Sequence, residues 1–274
     1  MAIDLTIDPK EASTVIKDFI KTYVENSGCK GVVIGLSGGV DSAVTALLCQ
    51  DVLGKNKTNC LFLPDETTPT TDFKHHELLV KKFNLSCKTV DITHIVRQFM
   101  TNCIVEPDKY ALANVKARTR MVLLYEYANM VGSLVCGTSN KSELLVGYYT
   151  KYGDGGVDIF PIGDLYKTQV YELAKHLKIP KEIVSKPPTA GLWHGQFDEK
   201  ELKLSYNKLD QILTGLERKI DLNDIVKLVG VKLSDVKRVK NMRVKTQHKR
   251  RSPLIPKIGL RTPGNDWRSP VQIG

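Results

Sequence analysis

The chain has 274 residues, 42% of them apolar and 26% charged, which is enough for a sizeable core and shows none of the bias of a disordered protein. No run approaches the roughly 18 apolar residues of a membrane span, and charged positions among the first thirty (Asp4, Asp8, Glu11, Lys17, Glu25) exclude a secretory leader, so the expected location is the cytoplasm. The formal charge of +10 is uneven: twelve Lys/Arg stand against Asp235 and Asp266 between Lys232 and Arg268, so that segment carries the whole imbalance. A solvated basic face, an RNA contact and a grip on a small substrate's phosphates are all compatible with it.

In chain order, Asp8-Pro9-Lys10-Glu11 predicts a capped helix start, with apolar spacing (Val15, Ile16, Phe19, Ile20, Tyr23, Val24) continuing to Gly28. The short apolar run 31–36 predicts a strand buried on both faces, and Val40, Ala43, Val44, Leu47 and Leu48 a helix up to Gly54. Strands at 60–63 and 87–92, helices at 72–83 and up to Met100, a long helix at 108–131 and a strand at 133–136 follow. This alternation argues for an α/β fold, a parallel sheet with helices on both faces. Past Gly137 the texture changes: a glycine-rich stretch (151–156), a helix at 167–177, a loop at 187–191 and three short helical patterns precede an irregular basic tail from about 246. The expected organisation is one domain, 1–274, with helical C-terminal additions. Six cysteines are scattered without a C-x-x-C pair, which predicts reduced, buried thiols.

Chemistry centres on Ser37-Gly38-Gly39-Val40-Asp41-Ser42, a turn between the first predicted strand and its helix. Backbone N–H groups at a helix N-terminus bind anions, and the glycines allow close approach of a phosphate. The turn lacks the lysine of the G-x-x-x-x-G-K-[ST] loop and the spacing of G-x-G-x-x-G. It carries a carboxylate instead. Asp41 beside phosphates makes sense if a divalent cation bridges them, which marks it as a Mg²⁺ ligand.

The motif resembles the pyrophosphate loop of the N-type ATP pyrophosphatases, which implies activation of a carboxylate as an adenylate. Further motifs run in order: Asn114-Val115-Lys116-Ala117-Arg118, Gly137-Thr138-Ser139-Asn140-Lys141-Ser142-Glu143, Thr150-Lys151-Tyr152-Gly153-Asp154-Gly155-Gly156-Val157-Asp158, Pro188-Thr189-Ala190-Gly191 and His248-Lys249-Arg250. From about residue 10 to 252 the chain is similar to the ammonia-dependent NAD synthetases. The resemblance implies an adenine-nucleotide alpha-hydrolase-like fold, a homodimer, and ATP, ammonia and deamido-NAD as substrates. It places Asp41 and Glu143 on Mg²⁺. Gly35, Leu36, Ser37, Gly38, Gly39, Val40, Asp41, Ser42, Thr138, Lys167 and Thr189 fall on ATP, with Asp41 and Lys167 as the catalytic groups. Arg118, Lys151, Asp158, His248 and Lys249 fall on deamido-NAD.

The glycine turn lies so near the N-terminus that no glutamine-hydrolysing domain is expected ahead of it. Phe197 and Lys203 depart from the family, which usually has a small polar residue and a glycine there. A tRNA-modifying ATP pyrophosphatase is the alternative suggested by the basic tail; the absence of paired cysteines and the jobs open to Asp41 and Glu143 argue against nucleic acid as the partner.

Overall fold

The structure is a computed structural model whose described residues are 3–263 and 266; the last part of the expected tail lies outside them. Four parallel strands form the sheet: β1 (Val32–Gly35), β2 (Thr58–Phe62), β3 (Ser86–Thr89) and β4 (Leu134–Cys136), in the order β3-β2-β1-β4. The chain leaves β1 to build β2 and β3 on one side, then returns with β4 on the other. The C-terminal ends of β1 and β4 therefore flank a switch in strand order, where open parallel sheets bind ligands.

Alternation within β1 assigns the two faces. Val32 and Ile34 pack with Cys60 and Cys136 against helices α1 (Pro9–Asn26), α2 (Val40–Leu53) and α7 (Lys167–His176). Val33 packs with Leu61 and Val135 against α4 (Thr93–Thr101) and α5 (Lys109–Val131). All three β1 valine and isoleucine side chains are fully buried, which is why this strand reads as a continuous apolar run. Helix α3 (Thr70–Phe83) completes the β2-to-β3 crossover, and α8 (Lys181–Val184) follows α7.

A second core lies beside the sheet. Helices α9 (Asp198–Leu202), α10 (Tyr206–Glu217), α11 (Leu222–Val229) and α12 (Leu233–Lys245) bury Leu209, Ile212, Ile225, Val236 and Val239 around Val146 and Tyr166. Among the described residues four α-helices follow the 187–191 loop where periodicity shows three, because α9 is a single short turn with no apolar repeat.

Most expected elements form within a residue or two of their sequence bounds, and their caps explain where. Asp8 accepts from Lys10 N and Glu11 N at 2.8 and 3.2 Å, and Asp108 from Tyr110 N and Ala111 N at 2.9 and 2.8 Å. The strand expected at 87–92 ends instead at Thr89, since Asp91 accepts from Thr93 N (2.7 Å) and Ile92 is the cap residue of α4. Helix α6 (Lys141–Val146) forms in the polar stretch after β4, where apolar periodicity predicts no helix; its signal is the capping box of Asn140 and Glu143. All six cysteines are free, three of them buried, but Cys103 is exposed.

Candidate active site

Strand β1 delivers the glycine turn to the carboxyl edge of the sheet. Gly38 has φ +81°, and a Cβ there would lie 2.7 Å from Asp72 O. Conformation and space both demand glycine. Ser42 Oγ donates to Gly39 O (3.0 Å) and accepts from Ser37 N (3.2 Å), which holds the turn closed. Gly39 caps α2 without a side-chain hydrogen bond. The first N–H groups of this 14-residue helix therefore face the site free of a side-chain acceptor, an arrangement suited to phosphate oxygens.

Across the switch, β4 leads through Gly137 and Thr138 to α6, which carries Glu143. Asn140 caps α6, accepting from Glu143 N at 3.0 Å, while its Nδ2 donates to Asp41 Oδ1 at 3.0 Å. Lys167, the first residue of α7, extends its ammonium between the two acids: it pairs with Asp41 Oδ2 and lies 3.7 Å from Glu143 Oε1. Burial, then the nearby Asp41 charge, pushes the Glu143 carboxyl up to about 8, only partly offset by Lys167. For Lys167, burial acts to lower the pKa, but Asp41 and Glu143 outweigh it and hold the ammonium well above its ordinary value. The ammonium also stands 5.3 Å from the Tyr206 ring centre.

A buried carboxylate on α10 sets how α6 and α7 meet. Asp210 Oδ1 accepts from Ser142 Oγ, and its Oδ2 accepts from Thr168 N (3.0 Å) and Thr168 Oγ1 (2.9 Å). Ser142 Oγ in turn accepts from Lys167 N at 2.9 Å. Asp210 thus holds the immediate neighbours of Glu143 and Lys167. At the far end of α6, Arg250 donates to Leu144 O (2.7 Å) and Leu145 O (3.0 Å), satisfying carbonyls that the helix leaves without partners. These supports are invisible to motif matching. Asp210 had a faint signal, an acid inside the apolar stripe Leu209, Ile212, Leu213.

The walls enclose a cavity of about 470 Å³ bounded by the glycine turn, Thr138, Glu143, Lys167 and the loop carrying Thr189, within the usual size for ligand pockets. That loop is fastened from both sides. Asp198 accepts from Ala190 N (3.1 Å), Tyr148 OH (3.1 Å) and Tyr206 OH (3.2 Å). Lys116, buried on α5, donates to Leu192 O (3.0 Å) and Thr67 Oγ1 (2.8 Å) beside Asp65 (2.9 Å). The two positions expected to depart from the family lie at this loop's end: Phe197 precedes α9 beneath the Lys200 ammonium, and Lys203 ends α9 at φ +53°.

Sequence-assigned residues divide into two groups. Gly35, Leu36, Ser37, Gly39, Val40, Asp41, Ser42, Thr138, Glu143, Lys167 and Thr189 line the cavity, with Gly38 in the turn behind them. Lys249 also lines it, though its ammonium donates to Gly147 O (2.7 Å) and Tyr149 O (2.6 Å). Arg118, Lys151, Asp158 and His248 are not among the lining residues. Arg118 is exposed on α5 and donates to Lys151 O (3.4 Å). Asp158 accepts from Tyr125 OH (3.0 Å) and Val135 N (2.7 Å), and His248 is exposed. On helix α5, Asn114, Ala117, Met121 and Leu124 face the cavity, while Arg118, Val122 and Tyr125 form the adjoining stripe at helical spacing.

The family model described as NAD synthase matches residues 12–253. The chain is 45% identical over 271 residues to an NH(3)-dependent NAD(+) synthetase of Saccharolobus solfataricus, covering 97% of this chain and 96% of that one. Among solved structures, it is similar to an NMN synthetase from Francisella tularensis (34% identity, TM-score 0.83) and to an NH3-dependent NAD synthetase from Campylobacter jejuni in complex with nitrate (35%, TM-score 0.78). Each alignment covers 92% of this chain and all of the other.

Proposed function

The chain belongs to the NAD synthase family, and from that premise we propose that it amidates deamido-NAD with ammonia, using ATP and yielding NAD, AMP and pyrophosphate. The observation that carries this most directly is the convergence of Asp41, Glu143 and Lys167 on an anion-binding helix start at the switch in strand order. The curated relatives favour this reaction over a tRNA-modifying one.

Mg²⁺ suits the donor set. Among the described residues no group of three or more His, Cys, Asp or Glu is arranged to hold a metal alone, whereas Mg²⁺ characteristically takes one or two carboxylates together with substrate phosphates. Burial beside Asp41 also leaves Glu143 reluctant to ionise without a further cation. Asp41 and Glu143 would hold the ion, and bound Mg²⁺ would offset phosphate charge. The turn's N–H groups and hydroxyls then hold the phosphates, and Lys167 offsets the charge growing on the pyrophosphate leaving group. The nicotinate carboxylate attacks the α-phosphorus and expels pyrophosphate. Ammonia next attacks the acyl carbon, AMP departs, and a proton passes to solvent. Positioning and charge stabilisation suffice, with no protein nucleophile.

The remaining assignments extend the same reading. Residues 1–274 act as one synthetase domain. Arg118, Lys151, Asp158 and His248 hold deamido-NAD together with Lys249, on a site that a second copy completes along α5. What supports this is the position of the first three beside α5, near the exposed Val122, outside the nucleotide cavity.

The test supplies ATP, Mg²⁺ and ammonium with deamido-NAD, or with nicotinate mononucleotide because an NMN synthetase is among the similar structures. NAD formation is read with a coupled dehydrogenase and AMP by chromatography. No NAD, or ADP in place of AMP, overturns the proposal; amidation of the mononucleotide alone reassigns the acceptor.

A further inference from the structure

A third lysine borders the nucleotide cavity beside Lys167 and Lys249, and the chemistry above leaves it unused. Lys186 opens the loop that carries Thr189, and its ammonium pairs with the Asp72 carboxylate near the start of α3. The two side chains are only 17% and 10% exposed, and both residues line the cavity. The first turns of α3 pack directly on the glycine turn: a Cβ on Gly38 would lie 2.7 Å from Asp72 O, 3.2 Å from His76 N and 3.4 Å from His75 Cβ. Asp72 Oδ2 is 3.9 Å from the position of a Cβ on Gly191. The ion pair is therefore wedged between the glycine turn and the loop.

Charge balance gives this placement a meaning. A triphosphate brings several negative charges to a site whose other cations are already engaged: Lys167 is paired with Asp41 and close to Glu143, Arg120 lies 3.7 Å from Asp65, and Lys249 donates to Gly147 O and Tyr149 O. Lys186 is the cation at the loop's entrance, held by a carboxylate that phosphate oxygens can replace. Building on the proposed ATP site, we infer that Lys186 binds the β,γ-phosphates of ATP, exchanging Asp72 for them as the nucleotide enters. Because Lys186 lies three residues before Thr189, the exchange draws the loop onto the nucleotide. Asp72 is then a competitor for Lys186, holding it in place while opposing ATP.

That role has a signature that a structural ion pair lacks. Breaking a merely structural pair weakens ATP binding in the same direction from either side. In the exchange, Lys186→Met removes a ligand of the phosphates, whereas Asp72→Asn removes their rival. The experiment titrates full-length protein with Mg²⁺ and α,β-methylene-ATP by calorimetry, with AMP as the probe that lacks the β- and γ-phosphates. Lys186→Met should weaken analogue binding at least about tenfold, the worth of a charge-assisted hydrogen bond, leave AMP binding unchanged, and be largely rescued by Lys186→Arg. Asp72→Asn should bind the analogue as tightly as wild type or more tightly. Lys186→Gln, which retains a hydrogen-bond donor toward Asp72, is measured alongside in case the methionine variant fails to fold.

Equal weakening by Lys186→Met and Asp72→Asn, parallel loss of AMP binding, or wild-type affinity in folded Lys186→Met or Lys186→Gln overturns the inference. Wild-type protein that binds no analogue overturns the synthetase proposal as well. Wild-type binding with an indifferent Lys186→Met overturns this inference alone.

Discussion

Asn140 Nδ2 donates to Asp41 Oδ1 at 3.0 Å, while the Oδ1 of the same carboxamide accepts from Glu143 N. One side chain thus caps the helix that carries one acid and orients the other acid across the sheet. Cap and catalytic geometry can be separated by substitution. Asn140→Ala should cost about 1 kcal/mol through the lost cap and should also lower turnover. Asn140→Ser keeps a good cap but is too short to reach Asp41. Its thermal midpoint should stay near wild type while kcat falls several-fold; equal kcat and stability losses in the two variants would count against an orienting role.

The two acids themselves should be indispensable. Asp41→Asn and Glu143→Gln preserve shape, and the glutamine still accepts from Asn140 N as Glu143 Oε2 does at 3.3 Å. Each should reduce AMP and pyrophosphate release at least about 100-fold, on the scale of losing a transition-state electrostatic contact. Circular dichroism and thermal midpoints should remain close to wild type. Near-normal turnover in either variant would remove that residue from the proposed metal site.

Asp210 makes stability depend on pH. Burial pushes its carboxyl up from 3.8 to about 6, although hydrogen bonds from Ser142 and Thr168 and the Lys167 charge pull the other way. The folded state therefore holds a proton that the unfolded chain releases. This contribution is fully present below about pH 4 and is lost as pH rises through about 6, amounting to about 3 kcal/mol. Urea midpoints of wild type and Asp210→Asn, compared from pH 4 to 7, should diverge accordingly, with the wild type losing ground as pH rises. Parallel curves would show that Asp210 keeps an ordinary pKa.

Lys203 stands where the resemblance leads one to expect a glycine. It ends α9 in the left-handed region at φ +53° and is exposed, so a side chain there costs conformational energy and gains no burial. Lys203→Gly should raise stability by about 0.5–1 kcal/mol, after allowing for glycine's larger entropy loss on folding. Denaturant unfolding measures the gain; a destabilised variant would mean that the lysine makes a compensating contact.

Much of the fold was legible in the residues themselves. Buried parallel strands announce themselves as apolar runs, and Asp8, Asp108 and the apolar spacings between them mark helices by local hydrogen bonding and burial. The glycine turn could be read because Gly38 must tolerate both a positive φ and a neighbouring backbone, constraints that leave only glycine. Motif order along the chain likewise brought Asp41, Glu143 and Lys167 into one hypothesis.

The partners of those side chains belong to tertiary structure. Asp41 and Lys167 are 126 residues apart, and Asp72 and Lys186 are 114 apart. No local propensity encodes either pairing, because each depends on which strand edge and which helix end the topology brings together. Helix α6 shows the boundary between the two. Its capping box was already written in Asn140 and Glu143, but a six-residue helix is too short to stand alone. It exists because Asp210 holds Ser142 at one end, Arg250 satisfies carbonyls at the other, and Val146 is buried in the second core. The sequence by itself determined the chemistry of the individual groups, and packing decided which of them could act together.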